Sequence, residues 1–163
     1  MRTYYFHLSL LIILVAGIIS CNGDTAQNGD SAVTQEPDID FNQRTLAFLT
    51  ATGDTVTTIS VAVADDQESQ AAGLMNVASM PRDAGMLFLF DDEAERSFWM
   101  ANTLLSLDIM YVNANQEIVR IHQNTPPFSQ ESILSEVPAQ YVVEVNAGFT
   151  LRHDITEGMR ISF

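Results

Sequence analysis

No lysine occurs anywhere in the 163 residues; the seven cations are all arginine, against 21 aspartates and glutamates, for a formal net charge of −14. A nucleic-acid binder needs a basic face to displace phosphate counterions, so this balance argues against nucleic acid as a partner. It equally opposes electrostatic docking on anionic lipid. The single cysteine, Cys21, rules out an intrachain disulfide and leaves a structural zinc site without thiolates. The three histidines (7, 122 and 153) show no ligand spacing, and no metal or cofactor is expected. No G-x-S-x-G, no H-E-x-x-H and no phosphate-cradling glycine loop is present. The longest apolar run, Leu8–Ile19, falls short of the ~18–20 residues of a membrane-spanning helix.

What is there begins at the N-terminus. Arg2, the apolar run and the small Ser20 before Cys21 have the order of a secretory signal. Ile18-Ile19-Ser20-Cys21 resembles the bacterial lipobox, in which the thiol receives a diacylglyceryl group and the signal is cut before the cysteine. That resemblance implies a signal peptide over 1–20, lipid on Cys21 and an exported protein held on the periplasmic side of the envelope. Several acyl chains anchor far more firmly than one, because each buried CH₂ contributes roughly 0.8 kcal/mol. Asn22, where an aspartate would signal inner-membrane retention, leans toward the outer membrane of a Gram-negative cell.

Residues 21–43 are polar, acidic and rich in Gly, Ser, Thr and Asn, and read as a flexible tether. With 47% hydrophobic and 17% charged residues overall, the remainder, 44–163, can bury the core of one domain. Arg44–Thr50 and Thr55–Ala64 flank a turn and predict a hairpin. Asp65 with Glu68 predicts a capped short helix that Gly73 ends. Met86–Phe90 is continuously apolar and predicts a strand covered on both faces. Further strands are expected at Ser97–Ala101, Leu107–Val112, Glu117–Gln123, Tyr141–Asn146 and Met159–Phe163, with a short helix at Phe149–His153. Asp91–Glu95 and Asn124–Ala139, the latter with three prolines, read as loops. The expected fold is mainly β: a sandwich or barrel-like domain of seven to eight short strands with one or two short helices.

A set of ordered motifs adds to this reading. Gly73-Leu74-Met75, Gly85-Met86-Leu87-Phe88, Phe98-Trp99-Met100 with Asn102-Thr103, Leu107-Asp108-Ile109 and Tyr141 through Gly148 together resemble the family called domain of unknown function 192. The resemblance spans about Ile59 to Phe163 and implies a compact, mainly β domain, often exported or lipid-anchored, with no established activity. In that family a cation usually stands where this chain has Gln70, Val77 and Ala101, and a proline where it has Ser106. If the cations hold an anion, this chain has lost that ability or compensates with Arg82 or Arg96. The acidic, lysine-free surface also suits high salt, where charge repulsion is screened.

Two carboxylates stand out. Asp108 shares a strand face with Met110 and Val112, and so needs hydrogen bonds or a distant partner. Val119, Ile121 and Gln123 are expected on that face too. The plain expectation is that Asp108 accepts backbone N–H groups and pins the loop Asn102–Ser106. Glu144 shares a face with Val142 and Asn146, read as the solvated side of an antiparallel sheet. If the two converge they could act as an acid–base pair in glycoside-type hydrolysis, or hold Ca²⁺ with Asn102 and Asn146. The sole tryptophan, Trp99, beside Asn102 and Thr103, is either core or a stacking floor for a flat ligand. The leading reading is therefore a non-catalytic envelope domain that binds a small polar ligand or a partner protein. Its binding candidates are Trp99, Asn102, Thr103, Asp108 and Asn146. The alternatives are a hydrolase using Asp108 and Glu144, and a purely structural envelope component.

Overall fold

The computed structural model describes residues 36–163. The expected signal segment, Cys21 and the expected tether up to residue 35 lie outside the described residues. In chain order the elements are β1 (Arg44–Leu49), β2 (Thr55–Ala64), α1 (Gln67–Ala72), β3 (Ala84–Phe98), β4 (Leu107–Val112), β5 (Ile118–Thr125), β6 (Ile133–Asn146), α2 (Phe149–Arg152) and β7 (Arg160–Ser162). The strands form one seven-stranded sheet in the order β5-β4-β6-β3-β2-β1-β7. Only β2 and β3 pair in parallel, joined across α1. The sheet curls into a half-barrel whose two edge strands meet at a Glu117–Arg160 bridge. Ile118 N–H donates to the Met159 carbonyl (2.8 Å) and Ile161 N–H to that of Gln116 (2.9 Å) across this junction.

Local chemistry accounts for most boundaries. In the β1–β2 turn Gly53 takes a φ of +96°, which a side chain would disfavour. At α1 the Asp66 carboxylate accepts from the N–H groups of Glu68 (2.8 Å) and Ser69 (2.9 Å), and the Ser69 hydroxyl returns to the Asp66 N–H. The capping box is thus Asp66/Ser69, one residue on from the expected Asp65/Glu68. Gly73, at φ +47°, ends the helix as expected.

Three expectations are corrected. Ser97–Ala101 is not a separate strand: β3 runs unbroken from Ala84 to Phe98, carrying the acidic segment Asp91–Glu95 in the strand with its carboxylates in water. The proline-rich stretch is a loop only over residues 126–132, because β6 begins at Ile133 and pairs with the outer half of β3. Pro138 is tolerated there because it lies opposite Glu95, beside a register shift where the ladder is already interrupted. A shift between Tyr111 and Val112 puts Ile118 rather than Val119 opposite Val112. Val119 consequently packs with the other core cluster.

Both faces of the sheet are covered. One core holds Leu46, Phe48, Val61, Met110, Val143 and Phe149, inside the curl and beneath α2. The other holds Ala62, Met86, Phe88, Ile109, Tyr111 and Val142, beneath the segments after α1 and after β3. Residues 36–43, expected in the tether, lie against the domain: Ile39 and Phe41 pack on this second core, and the Gln43 amide oxygen accepts the Val63 N–H (2.8 Å).

At the centre, β3 and β6 approach closely around Gly85. A Cβ there would stand 2.5 Å from the Glu144 backbone oxygen and 3.0 Å from Val145 Cγ1. Since a strand carbonyl cannot swing aside as a side-chain tip can, Gly85→Ala should cost about 2 kcal/mol or more of unfolding free energy, measured by urea denaturation.

Candidate functional site

Asp108 lies in β4, hydrogen-bonded on one side to β5 and on the other to β6, and is fully buried. Its Oδ1 accepts the N–H groups of Asn124 (2.9 Å) and Gly148 (3.1 Å); its Oδ2 accepts the N–H (2.9 Å) and the hydroxyl (2.7 Å) of Thr150. Gln123 Nε2 donates in turn to Thr150 Oγ1 (2.9 Å). Gly148, the N-cap of α2, has no side chain to satisfy the first-turn amides, and Asp108 supplies that carboxylate from across the sheet. Asp108 therefore pins Asn124 and the start of α2, not the loop Asn102–Ser106 as expected. That loop is held by other bonds, including Phe128 N–H to the Thr103 carbonyl (3.1 Å) and the Ser106 hydroxyl to the Thr125 carbonyl (2.9 Å).

Glu144 stands in β6 between Met86 of β3 and Ile109 of β4. Asp108 is opposite Val145, and Glu144 is opposite Ile109. Residues directly opposite share a face, and successive residues alternate, so the two carboxyl groups lie on opposite faces of the sheet. They share no cleft in which to act as an acid–base pair and no ion to coordinate between them. The face expected to be solvated is instead covered, and Glu144 is only 5% exposed.

Its side chain lines a cavity of about 40 Å³. The walls come from residues 70–75 at the end of α1, Phe88 and Phe98 of β3, and Trp99 and Thr103 of the following loop. No group among the described residues makes a hydrogen bond to the Glu144 carboxyl. Burial pushes that carboxyl from its ordinary 4.5 up to about 8. Tyr111, on the same sheet face, is held well above its ordinary value, chiefly by burial and also by the Glu144 charge; its hydroxyl donates to the Ile133 carbonyl (2.6 Å). Trp99 is 58% exposed and is not core. It borders both this cavity and an outer hollow of about 290 Å³ that also touches Gln70, Phe90 and Phe98.

Of the expected binding residues, Trp99 and Thr103 meet at this cavity. Asn102, at φ +55°, orders the rim by accepting the Asn76 N–H on its carbonyl (2.9 Å). Asn146 shares the Glu144 face, but its amide is committed to the carbonyls of Met80 (3.3 Å) and Pro81 (3.0 Å). Asp108 is on the far side of the sheet. Gln70, noted in the sequence only as standing where the family usually carries a cation, was not among the binding candidates: its amide donates to the Leu89 carbonyl (2.7 Å) across the fold. Among the described residues no three His, Cys, Asp or Glu side chains are grouped to hold a metal ion.

The family described as DUF192, an uncharacterised ACR, matches residues 48–163. The chain belongs to this family. A Sinorhizobium meliloti 1021 protein, provisionally named a transcription regulator, is similar at 33% identity with a TM-score of 0.72; the match covers 77% of this chain and 97% of that one. A Novosphingobium aromaticivorans DSM 12444 protein of unknown function is similar at 26% identity with a TM-score of 0.69, over 73% of this chain and 84% of that one. Among curated proteins none matches.

In this DUF192 domain neither Arg82 nor Arg96 replaces a cation at the cavity. Arg96 is tied to the Asp92 carboxylate (2.9 Å) and the Ala139 carbonyl (3.1 Å) and lies over the Phe90 ring. Arg82 borders a separate hollow beside Asp38–Asn42.

The two carboxylates should respond differently to substitution. Asp108→Ala leaves the buried Thr150 N–H and the half-buried N–H groups of Asn124 and Gly148 without their acceptor and should cost about 3 kcal/mol by chemical denaturation. For Glu144, the folded state keeps the proton up to about pH 8 while the unfolded chain releases it near 4.5. Its contribution is therefore complete below pH 4.5 and is lost as pH rises, by about 1.4 kcal/mol per unit, until it levels above pH 8. The stability difference between wild type and Glu144→Gln, followed from pH 5 to 9, should trace that slope.

Proposed function

We propose that this DUF192 domain is a non-catalytic binding module of the cell envelope, anchored through lipid on Cys21 and taking a small polar ligand at Glu144. The observation that carries the binding reading is a largely withdrawn carboxyl, given no donor by the described protein groups, that opens onto a cavity bordered by an exposed tryptophan. A carboxyl largely withdrawn from water and given no protein donor is poorly stabilised, and a ligand that donates to it recovers part of that cost on binding. Flat, partly exposed Trp99 adds apolar area at the entrance.

The anchoring half rests on the lipobox-like sequence Ile18–Cys21 and on the short apolar run before it. No helix among the described residues is long and apolar enough to cross a membrane. Asn22 after the cysteine favours the outer membrane in a Gram-negative cell. The non-catalytic half rests on Asp108, whose carboxylate oxygens are occupied by Asn124, Gly148 and Thr150. The name of the Sinorhizobium relative is not extended to this chain, whose net charge of −14 opposes a phosphate backbone.

Two measurements test these halves separately. Radioactive palmitate fed to expressing cells should label the wild-type chain and not Cys21→Ser; equal labelling would overturn the anchor. Thermal-shift screening against small amines, sugars and acids should raise the wild-type midpoint by several degrees at saturation for one class, as mass action requires, and far less in Trp99→Ala. No shift for any class would overturn the binding reading.

A further inference from the structure

The polar groups around Glu144 define the chemistry of what can bind there, an inference that rests on reading the cavity as a ligand site. The Glu144 carboxyl is one acceptor. Gln70 uses its NH₂ on the Leu89 carbonyl, which leaves its side-chain oxygen as another. The last turn of α1 brings carbonyls: Ser69 and Ala72 carbonyls accept the N–H groups of Gly73 and Met75, whereas those of Gln70 and Ala71 accept no backbone N–H outside the helix among the described residues. Thr103, whose hydroxyl leans toward the Ala101 carbonyl (3.4 Å), and the indole N–H of Trp99 are the other side-chain polar groups among the lining residues. Of the described arginines none lines the cavity. The remaining side-chain surface is largely apolar or aromatic, from Phe88, Phe98 and Trp99.

With one carboxyl, an amide oxygen and helix-end carbonyls against only the Thr103 hydroxyl and the Trp99 indole as side-chain donors, and with no positive group, the wall favours a ligand that brings donors and positive charge. A divalent metal is a poor fit, because one carboxylate does not make the six or more oxygen ligands a hard cation takes. Anions meet only like charge. A cavity of about 40 Å³ has room for roughly three water-sized groups, enough for an –NH₃⁺ head and a methylene or two but tight for a guanidinium. Aromatic rings beside such a head add cation–π attraction. We propose that the Glu144 cavity receives the primary ammonium group of an alkylamine, with the stem passing Trp99 into the outer hollow.

The proton balance follows. Around neutrality the empty cavity holds Glu144 as the acid, so an entering R–NH₃⁺ displaces one proton from the carboxyl to solvent and pairs with the carboxylate. Among the described residues Tyr111 of β4 is the titratable group that faces Glu144 from the neighbouring strands, and it keeps its proton throughout; His122 and Arg120 of β5 share that face beyond Ile109 and Tyr111, α1 contributes Gln70, and β3 contributes Met86, Phe88 and Phe98. Amine affinity should therefore rise with pH through the carboxyl's titration, whereas a neutral ligand that accepts the acid proton should bind more weakly over the same range.

The test is fluorescence titration of Trp99, the only tryptophan, in the full-length chain held in non-ionic detergent. The probes are butylammonium, butan-1-ol and butyrate, with Nα-acetyl-lysinamide as a fourth carrying the same head on a peptide unit. Butylammonium should bind about ten-fold tighter at pH 9 than at pH 7, since its own proton is lost only near 10.4, and Glu144→Gln should abolish both the binding and its pH dependence. Tighter binding of the lysine derivative than of butylammonium assigns a polymer-borne lysine as the source; equal or weaker binding assigns a free amine; both support the proposal. Butan-1-ol binding that weakens above pH 8 would overturn the ammonium assignment while leaving a ligand site. Silence from all four probes would overturn the site as well.

Discussion

Pairing of β4 with β6, Asp108 opposite Val145 and Ile109 opposite Glu144, is the constraint on which the rest of the molecule turns. Strand alternation sends carboxyls one register position apart to opposite sides of the sheet. In a sheet with one wet face, one of them would be solvated at no cost. Here the curl closes over one side, and α1 with the loops after it and after β3 covers the other, so both carboxyls are buried and each needs its own solution. The protein supplies one solution and leaves the other open.

Asp108 shows the closed case. It takes four hydrogen bonds from three residues 16, 40 and 42 positions along the chain and thereby fixes the end of β5 to the start of α2. A charge so fully committed has no capacity left for chemistry, which is why its burial argues for architecture. Glu144 shows the open case. The described chain places it against aromatic and aliphatic side chains, gives it no donor, and leaves a small volume beside it. Groups with displaced pKa values concentrate where binding or chemistry occurs. The free energy that Glu144 costs the fold is what a donor-bearing ligand can recover.

Much of this was readable in the residues. Alternation in β2 and β4, the apolar run in β3, the β1–β2 turn and the short helix at Phe149 are local signals, and the elements follow them. The extended halves of β3 and β6 were not readable, because Asp91–Glu95 and the segment around Pro138 have loop composition and become strands only by pairing with each other. The anomaly of Asp108 was visible, but its partners Asn124, Gly148 and Thr150 were not, since nothing local brings those segments together. Trp99 and Thr103 were singled out and do meet at the cavity. Glu144 was noticed but assigned to a wet face, because the period of β6 says which residues share a side and not what covers it. Gln70 stood out only as a departure from the family's usual cation; its place at the cavity comes from where α1 lands.

Membership in DUF192 fixes the fold and leaves the activity to be argued from the site. The account depends on a carboxyl largely withdrawn from water and given no protein donor, and that state has a direct readout. Carbon-13 NMR titration of the Glu144 side-chain carboxyl in the isotopically labelled protein should give a midpoint near 8, far from the ordinary 4.5. A midpoint at or below 4.5 would mean that water or a donor already satisfies the group, and would contradict the central claim.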